Sequence, residues 1–212
     1  MLASYATVTL VLSILKRTAE SDPTLKSLLP VIAAVIFLFI PVAAIRAGRE
    51  KTRDFGITTG HARRDLLFVL ICSLTIFPVF FAGNHLYQTI LFHKSLHWHI
   101  PAGLAEIALT HLLLVAIPEE VFYRGYVQTT LGFSLPSGKS ILWTAGWPSI
   151  LTTSFMFALG HFAMDFNPAR LAVFFPSILF GWMREKSGSV TPPALMHAAC
   201  NVLMAVLEKS YL

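Results

Sequence analysis

The sequence predicts an all-α protein: a polytopic integral membrane helical bundle of six to seven transmembrane helices around a central polar cavity. Three observations carry this. Apolar residues make up 55% of the 212 residues and charged residues only 13%, with a mean hydropathy of +0.67. A soluble domain carries about 25% charged residues because its surface must be solvated. The apolar residues fall into runs, several of which approach the ~20 residues that cross a hydrocarbon core. Ionisable and amide side chains recur inside three of those runs, where an unpartnered charge costs at least ~2.5 kcal/mol.

Leu2 to Leu15 is apolar and stops at Lys16 and Arg17. It lacks the basic leader and small-residue cleavage site of a signal peptide, so a short span or an interfacial helix is expected. Leu28 to Ile45 is the first clear span, closed by Arg46, Arg49, Lys51 and Arg53. Leu66 to Leu91 is long enough to tilt. Leu104 to Leu131 follows. Next come Pro148 to Phe166, with a proline suited to a first helical turn, the shorter Leu171 to Met183, and Pro193 to Leu207.

Placing the loop from Arg46 to Arg64 in the cytoplasm and alternating sides puts Lys139, Arg184, Lys186 and Arg124 on that same side. Ten of the sixteen basic residues are then cytoplasmic, a modest positive-inside bias. The net charge of +5 therefore reads as a topology signal, with anionic lipid as a second contact for the loop and no nucleic acid as partner. Cys72 and Cys200 lie in separate apolar runs, which argues against a disulfide framework or a cysteine-based zinc site. No repeat or linker divides the chain.

The intramembrane polar residues come in three groups. In Ile117-Pro118-Glu119-Glu120-Val121-Phe122-Tyr123-Arg124-Gly125, Arg124 lies four residues after Glu120, on the same helix face. Glu119 is turned about 100° away, and one arginine balances one acid. Glu120 is thus expected to be neutralised by Arg124, leaving Glu119 for another task; a purely structural cluster of all three is the alternative. Phe157-Ala158-Leu159-Gly160-His161 places a histidine in the next span, with Asp165 one turn on as a partner that could orient its ring. His197-Ala198-Ala199-Cys200-Asn201 places two polar side chains on one face of the last span, where helix–helix hydrogen bonding is the bland reading. Each group falls near the middle of its span. The simplest arrangement is one polar cavity lined by Glu119, His161, His197 and Asn201.

A carboxylate beside an imidazole can deprotonate a water molecule, and a histidine with an asparagine supplies donors for an oxyanion. No serine is paired with a base, and Cys200 is rotated off the Asn201 face, so a covalent nucleophile is not expected. Two histidines and a glutamate also form a known zinc set, which would be Glu119, His161 and His197. The sequence lacks His-Glu-x-x-His, so no cofactor is required and zinc stays open.

Glu-Glu-x-x-x-Arg-Gly, then Phe-x-x-x-His, then His-x-x-x-Asn, in order on separate spans, resembles the CPBP family, also called ABI. Its members include CAAX prenyl endopeptidases of the Ras-converting type and bacteriocin-processing enzymes. The resemblance covers Leu104 to Leu207. It implies residues 1–103 as N-terminal transmembrane segments and 104–212 as the catalytic helical core of one continuous bundle. It further implies an intramembrane endopeptidase, glutamic-type or metallo-, cutting near the C-terminus of a membrane-anchored or lipidated protein or peptide. In it Glu119 and His161 would activate the water, His197 and Asn201 would form the oxyanion site, and Glu120 and Arg124 would hold the helix in shape. The implied location is the lipid bilayer of a prokaryotic inner membrane, crossed several times.

Two other functions fit less well. A non-catalytic bacteriocin self-immunity or scaffold protein of the same family would not need all of Glu119, His161 and Asn201. A proton-coupled transporter using Glu119 and His161 as a relay would call for an inverted repeat, which is missing. Outside the core, His85, His93, His97 and His99 form a group with metal-binding potential, but Trp98 and Lys94 among them suggest an interfacial anchor. His111, eight residues before Glu119, lies about 80° round the same helix and could approach the cavity, a minor option beside a role in packing.

Overall fold

The computed structural model describes residues 1–58, 62–134 and 146–212; Lys139, used above as a marker of sidedness, lies outside them. Among the described residues the chain forms seven long helices. Helix α1 is Leu2–Ala19 and α2 is Pro23–Ala47. The Asp22 carboxylate starts α2 by accepting from the backbone N–H of Thr24 (2.9 Å) and Leu25 (3.1 Å), and Pro23 supplies a preset φ for the first turn. Helix α3 is Ala62–Leu86 and continues as a π-helical turn, Tyr87–Leu91.

Helix α4 covers residues 104–134 without a break. It is not one regular α-helix. Leu104–Thr110, Ile117–Glu120 and Thr129–Ser134 are α-helical, whereas His111–Ala116 and Val121–Gln128 are π-helical. The two acids thus sit in a short α-helical turn between two π stretches, a distortion that tends to accompany functional sites. Helix α5 is Trp147–Asp165, with Pro148 in its first turn, α6 is Phe174–Ser187 and α7 is Thr191–Ser210. The run expected from Leu171 to Met183 is divided: Pro168–Val173 is a 3-10 helix started by the Asn167 side chain, and the α-helix begins at Phe174.

Contacts between helix ends fix their directions. The Tyr5 hydroxyl of α1 donates to the Met156 carbonyl of α5 at 2.8 Å, and Lys16 pairs with Asp165 further along the same two helices. The Val190 N–H donates to the Gly56 carbonyl at 3.0 Å, and Arg184 donates to the Thr129 hydroxyl at 3.3 Å. The loop after α2, the ends of α4 and α6 and the start of α7 therefore share one end of the bundle. At the other, the His97 N–H donates to the Ser210 carbonyl at 2.7 Å, and Leu96 and Tyr211 form an antiparallel bridge. The basic residues of the loop and Arg184 fall together, as alternating helices require. Gly56 has a φ of +69°, and the Arg184 guanidinium lies 2.5 Å from where a Cβ would stand, so only glycine fits there.

Polarity is arranged inside out. Pro23–Ala47 and Ala62–Leu91 are long and apolar enough to cross a membrane, yet only 22% and 6% of their most apolar stretches are buried. Leu66, Leu67, Leu70, Ile71 and Leu74 are exposed on α3, while Glu120, Arg124, Gln128, Ser177 and His197 are buried. An apolar exterior of that extent suits lipid rather than water. Inside, Val8, Leu12, Phe37, Phe122, Tyr123, Val127 and Phe157 form one core cluster across α1, α2, α4 and α5. Cys72, Phe180, Met183 and Met196 form a second across α3, α6 and α7. Helix α1 belongs to the bundle, burying Val8 and Leu12 in the first cluster.

Candidate active site

Helix α4 places two adjacent carboxylates in unlike surroundings, because successive residues are turned by about 100°. Glu120 is fully buried. Its Oε1 accepts from Arg124 Nη1 at 2.8 Å and from His197 Nδ1 at 2.9 Å. Arg124, also fully buried, is held from the other side: its Nη2 donates to the Ser177 hydroxyl at 2.7 Å and to the Ser177 carbonyl at 3.2 Å. Its guanidinium lies 4.6 Å from the centre of the Phe157 ring and 5.3 Å from that of Phe180. Stripped of water, this pair stands only because several groups satisfy it at once. Glu119 makes no hydrogen bond among the described residues. Its Oε2 is buried without a partner, and its side chain keeps 14% of its exposure.

His197 connects the two acids. With Nδ1–H given to Glu120, its Nε2 faces Glu119 Oε2 at 4.0 Å, and its ring stacks on Phe180 with centroids 5.0 Å apart. Nε2 can donate only when the ring carries both protons. His161 is half-buried, and its Nδ1 lies 3.0 Å from the Phe157 carbonyl. A carbonyl only accepts, so Nδ1 carries the proton, and in the neutral ring Nε2 is left with a lone pair. Phe157 separates the two imidazoles, with its ring centre 4.4 Å from that of His161 and 6.1 Å from that of His197.

Glu119, Glu120, Arg124 and His197 are therefore in one cluster, with His161 one aromatic ring away. Asn201 is not hydrogen-bonded to His197; its Nδ2 lies 3.5 Å from His111 Nδ1. Asp165 does not orient His161, since its carboxylate is taken by Lys16 and Arg170. Ser177 and Phe180 complete the surroundings of Arg124 and His197 without any sequence motif. A lone serine facing inward from an apolar helix was the only signal for the first, and nothing marked the second.

Among the described residues no three His, Cys, Asp or Glu side chains are grouped so that they could hold a metal ion. His197 Nδ1 and Glu120 Oε1 are spent on each other. In the loop group, the His85 ring Nδ1 lies 2.9 Å from the Tyr211 hydroxyl, whereas His99 donates its backbone N–H to Ser210 Oγ at 3.0 Å.

An apolar-surfaced helical bundle that encloses acids, an arginine and an imidazole describes a membrane protein with an interior polar site. Residues 101–203, which include every residue of that site, match the family described as type II CAAX prenyl endopeptidase, Rce1-like. Over this segment the chain is similar to the CAAX-type intramembrane endopeptidases of that family, which agrees with the CPBP resemblance of its motifs. No curated protein and no solved structure gives a significant match.

Proposed function

We propose that the protein is a multi-pass endopeptidase of a prokaryotic inner membrane that cuts a peptide bond near the C-terminus of a membrane-tethered or lipidated substrate. Residues 104–212 supply the chemistry and residues 1–103 the support. One observation carries the assignment of roles: Glu120 is sealed and committed to Arg124 and His197, while Glu119 beside it is unbonded and partly open. Glu119 is the carboxylate free to meet a water molecule.

In this reading Glu119 and the free Nε2 of His161 take the proton of the attacking water, as general bases do. The water oxygen bonds to the scissile carbonyl carbon, and its oxygen becomes an oxyanion. His197, from its Nε2 side, and the Asn201 amide donate to that oxyanion. The proton then passes to the leaving amine as the peptide bond breaks. The route needs no metal.

The test is cleavage by purified protein in liposomes of a panel of prenylated CAAX-terminated peptides and membrane-anchored precursors. Wild type runs beside Glu119→Gln, each with and without a zinc chelator. Activity lost in Glu119→Gln and retained with chelator supports the reading. Activity lost with chelator and restored by zinc replaces it with a metalloprotease.

A further inference from the structure

His197 and Asn201 of α7 each meet a side chain of α4. His197 is set by Glu120, at 2.9 Å. One turn later, Asn201 Nδ2 reaches His111 Nδ1, at 3.5 Å. His111 belongs to none of the three motifs. It opens the π-helical stretch His111–Ala116, and the extra residue in such a turn changes the phase of everything N-terminal to it relative to Glu119. The distortion of α4 thus brings a fourth polar group to the site.

A primary amide has two nearly equal-sized ends, and rotation by half a turn exchanges them. Only the NH2 end can donate to an oxyanion. A lone pair on His111 Nδ1 accepts from that end and repels the oxygen end, so it selects one orientation. One N–H is then bound and the other remains free.

We infer that His111 is a positioning residue: it holds the Asn201 amide in the orientation that presents its second N–H to the reacting carbonyl. This rests on Asn201 being the oxyanion donor proposed above. The same histidine ties the π turn of α4 to α7, so the distortion serves the donor rather than the acids beside it.

The experiment is a double-mutant cycle on a prenylated CAAX-terminated peptide in liposomes, with nitrogen-15 spectra of the Asn201 side chain in detergent. Asn201→Ala should lower kcat by about 100- to 1,000-fold. His111→Ala should lower kcat by about 10- to 100-fold, as misplacement of a reacting group does, with KM little changed. The double variant should be no slower than Asn201→Ala alone, because His111 acts only through that amide. His111→Gln, whose side-chain oxygen can accept, should recover part of the rate, and His111→Leu should not.

Multiplying effects in the double variant, or His111→Gln no better than His111→Leu, would overturn the inference and leave the oxyanion assignment standing. No loss in Asn201→Ala would remove both. If wild type cleaves no peptide, the spectra decide: an Asn201 amide signal unmoved by His111→Ala overturns the inference, and a displaced one supports it.

Discussion

Glu119 and Glu120 are the same residue type one position apart, and substitution should separate them. In Glu120→Gln the Arg124 guanidinium keeps its burial and loses its countercharge, a change that costs about 3–5 kcal/mol when a buried pair is broken on one side. Thermal unfolding in detergent should show a lowered Tm for Glu120→Gln and almost no change for Glu119→Gln, which leaves no buried charge stranded. Activity should not follow that ranking, since Glu119→Gln is expected to be inactive while fully folded. The Glu120–Arg124 pair was legible in the sequence because a four-residue spacing keeps two side chains on one helix face, and the pair survives the onset of the π stretch at Val121. The reach of His111 was only partly legible: a regular 100° step leaves it well round the helix from Glu119, and the intervening π turn is a tertiary outcome with no local sequence mark.

Between elements, α4 and α5 come close together at Gly160. A Cβ there would lie 2.8 Å from the Tyr123 hydroxyl. Tyr123 has no room to retreat, being buried against Phe37, Phe122 and Phe157 with ring centres 6.0, 5.1 and 4.9 Å away. Gly160→Ala should therefore destabilise by about 1–3 kcal/mol, as overpacking does, and should shift His161 next to it. Tyr123→Phe removes the offending oxygen and should restore most of the Tm and activity lost in Gly160→Ala, a non-additivity measurable by a double-mutant cycle. The sequence placed Gly160 in a motif without indicating what it admits. Likewise the basic loop read as a marker of sidedness, and nothing local indicated that Phe55 within it would bury itself against Tyr126, with ring centres 6.3 Å apart. Helix positions came from apolar runs; which face meets which neighbour depends on residues far apart in the chain.

For the whole molecule, the alternation of helix ends makes a statement about sides. Arg49 and Trp98 lie at opposite ends of the bundle, the first just after α2 and the second in the segment that pairs with Ser210 and Tyr211. In a background lacking Cys72 and Cys200, Arg49→Cys and Trp98→Cys should react with a membrane-impermeant thiol reagent from opposite faces of sealed vesicles. Labelling of both from one face would contradict the alternation.

The buried ion pair also constrains how the protein is made. Arg124 finds Ser177 only 53 residues later in the chain, and Glu120 finds His197 only after 77. When α4 emerges from the ribosome neither partner has been synthesised, and a lone helix carrying Glu119, Glu120 and Arg124 well inside its length is a poor candidate to partition into lipid. Helix α4 must then be sheltered by the insertion machinery, or by α1 and α2 already in place, until α6 and α7 arrive. Commitment of the middle of this protein to the bilayer is set by the synthesis of its end.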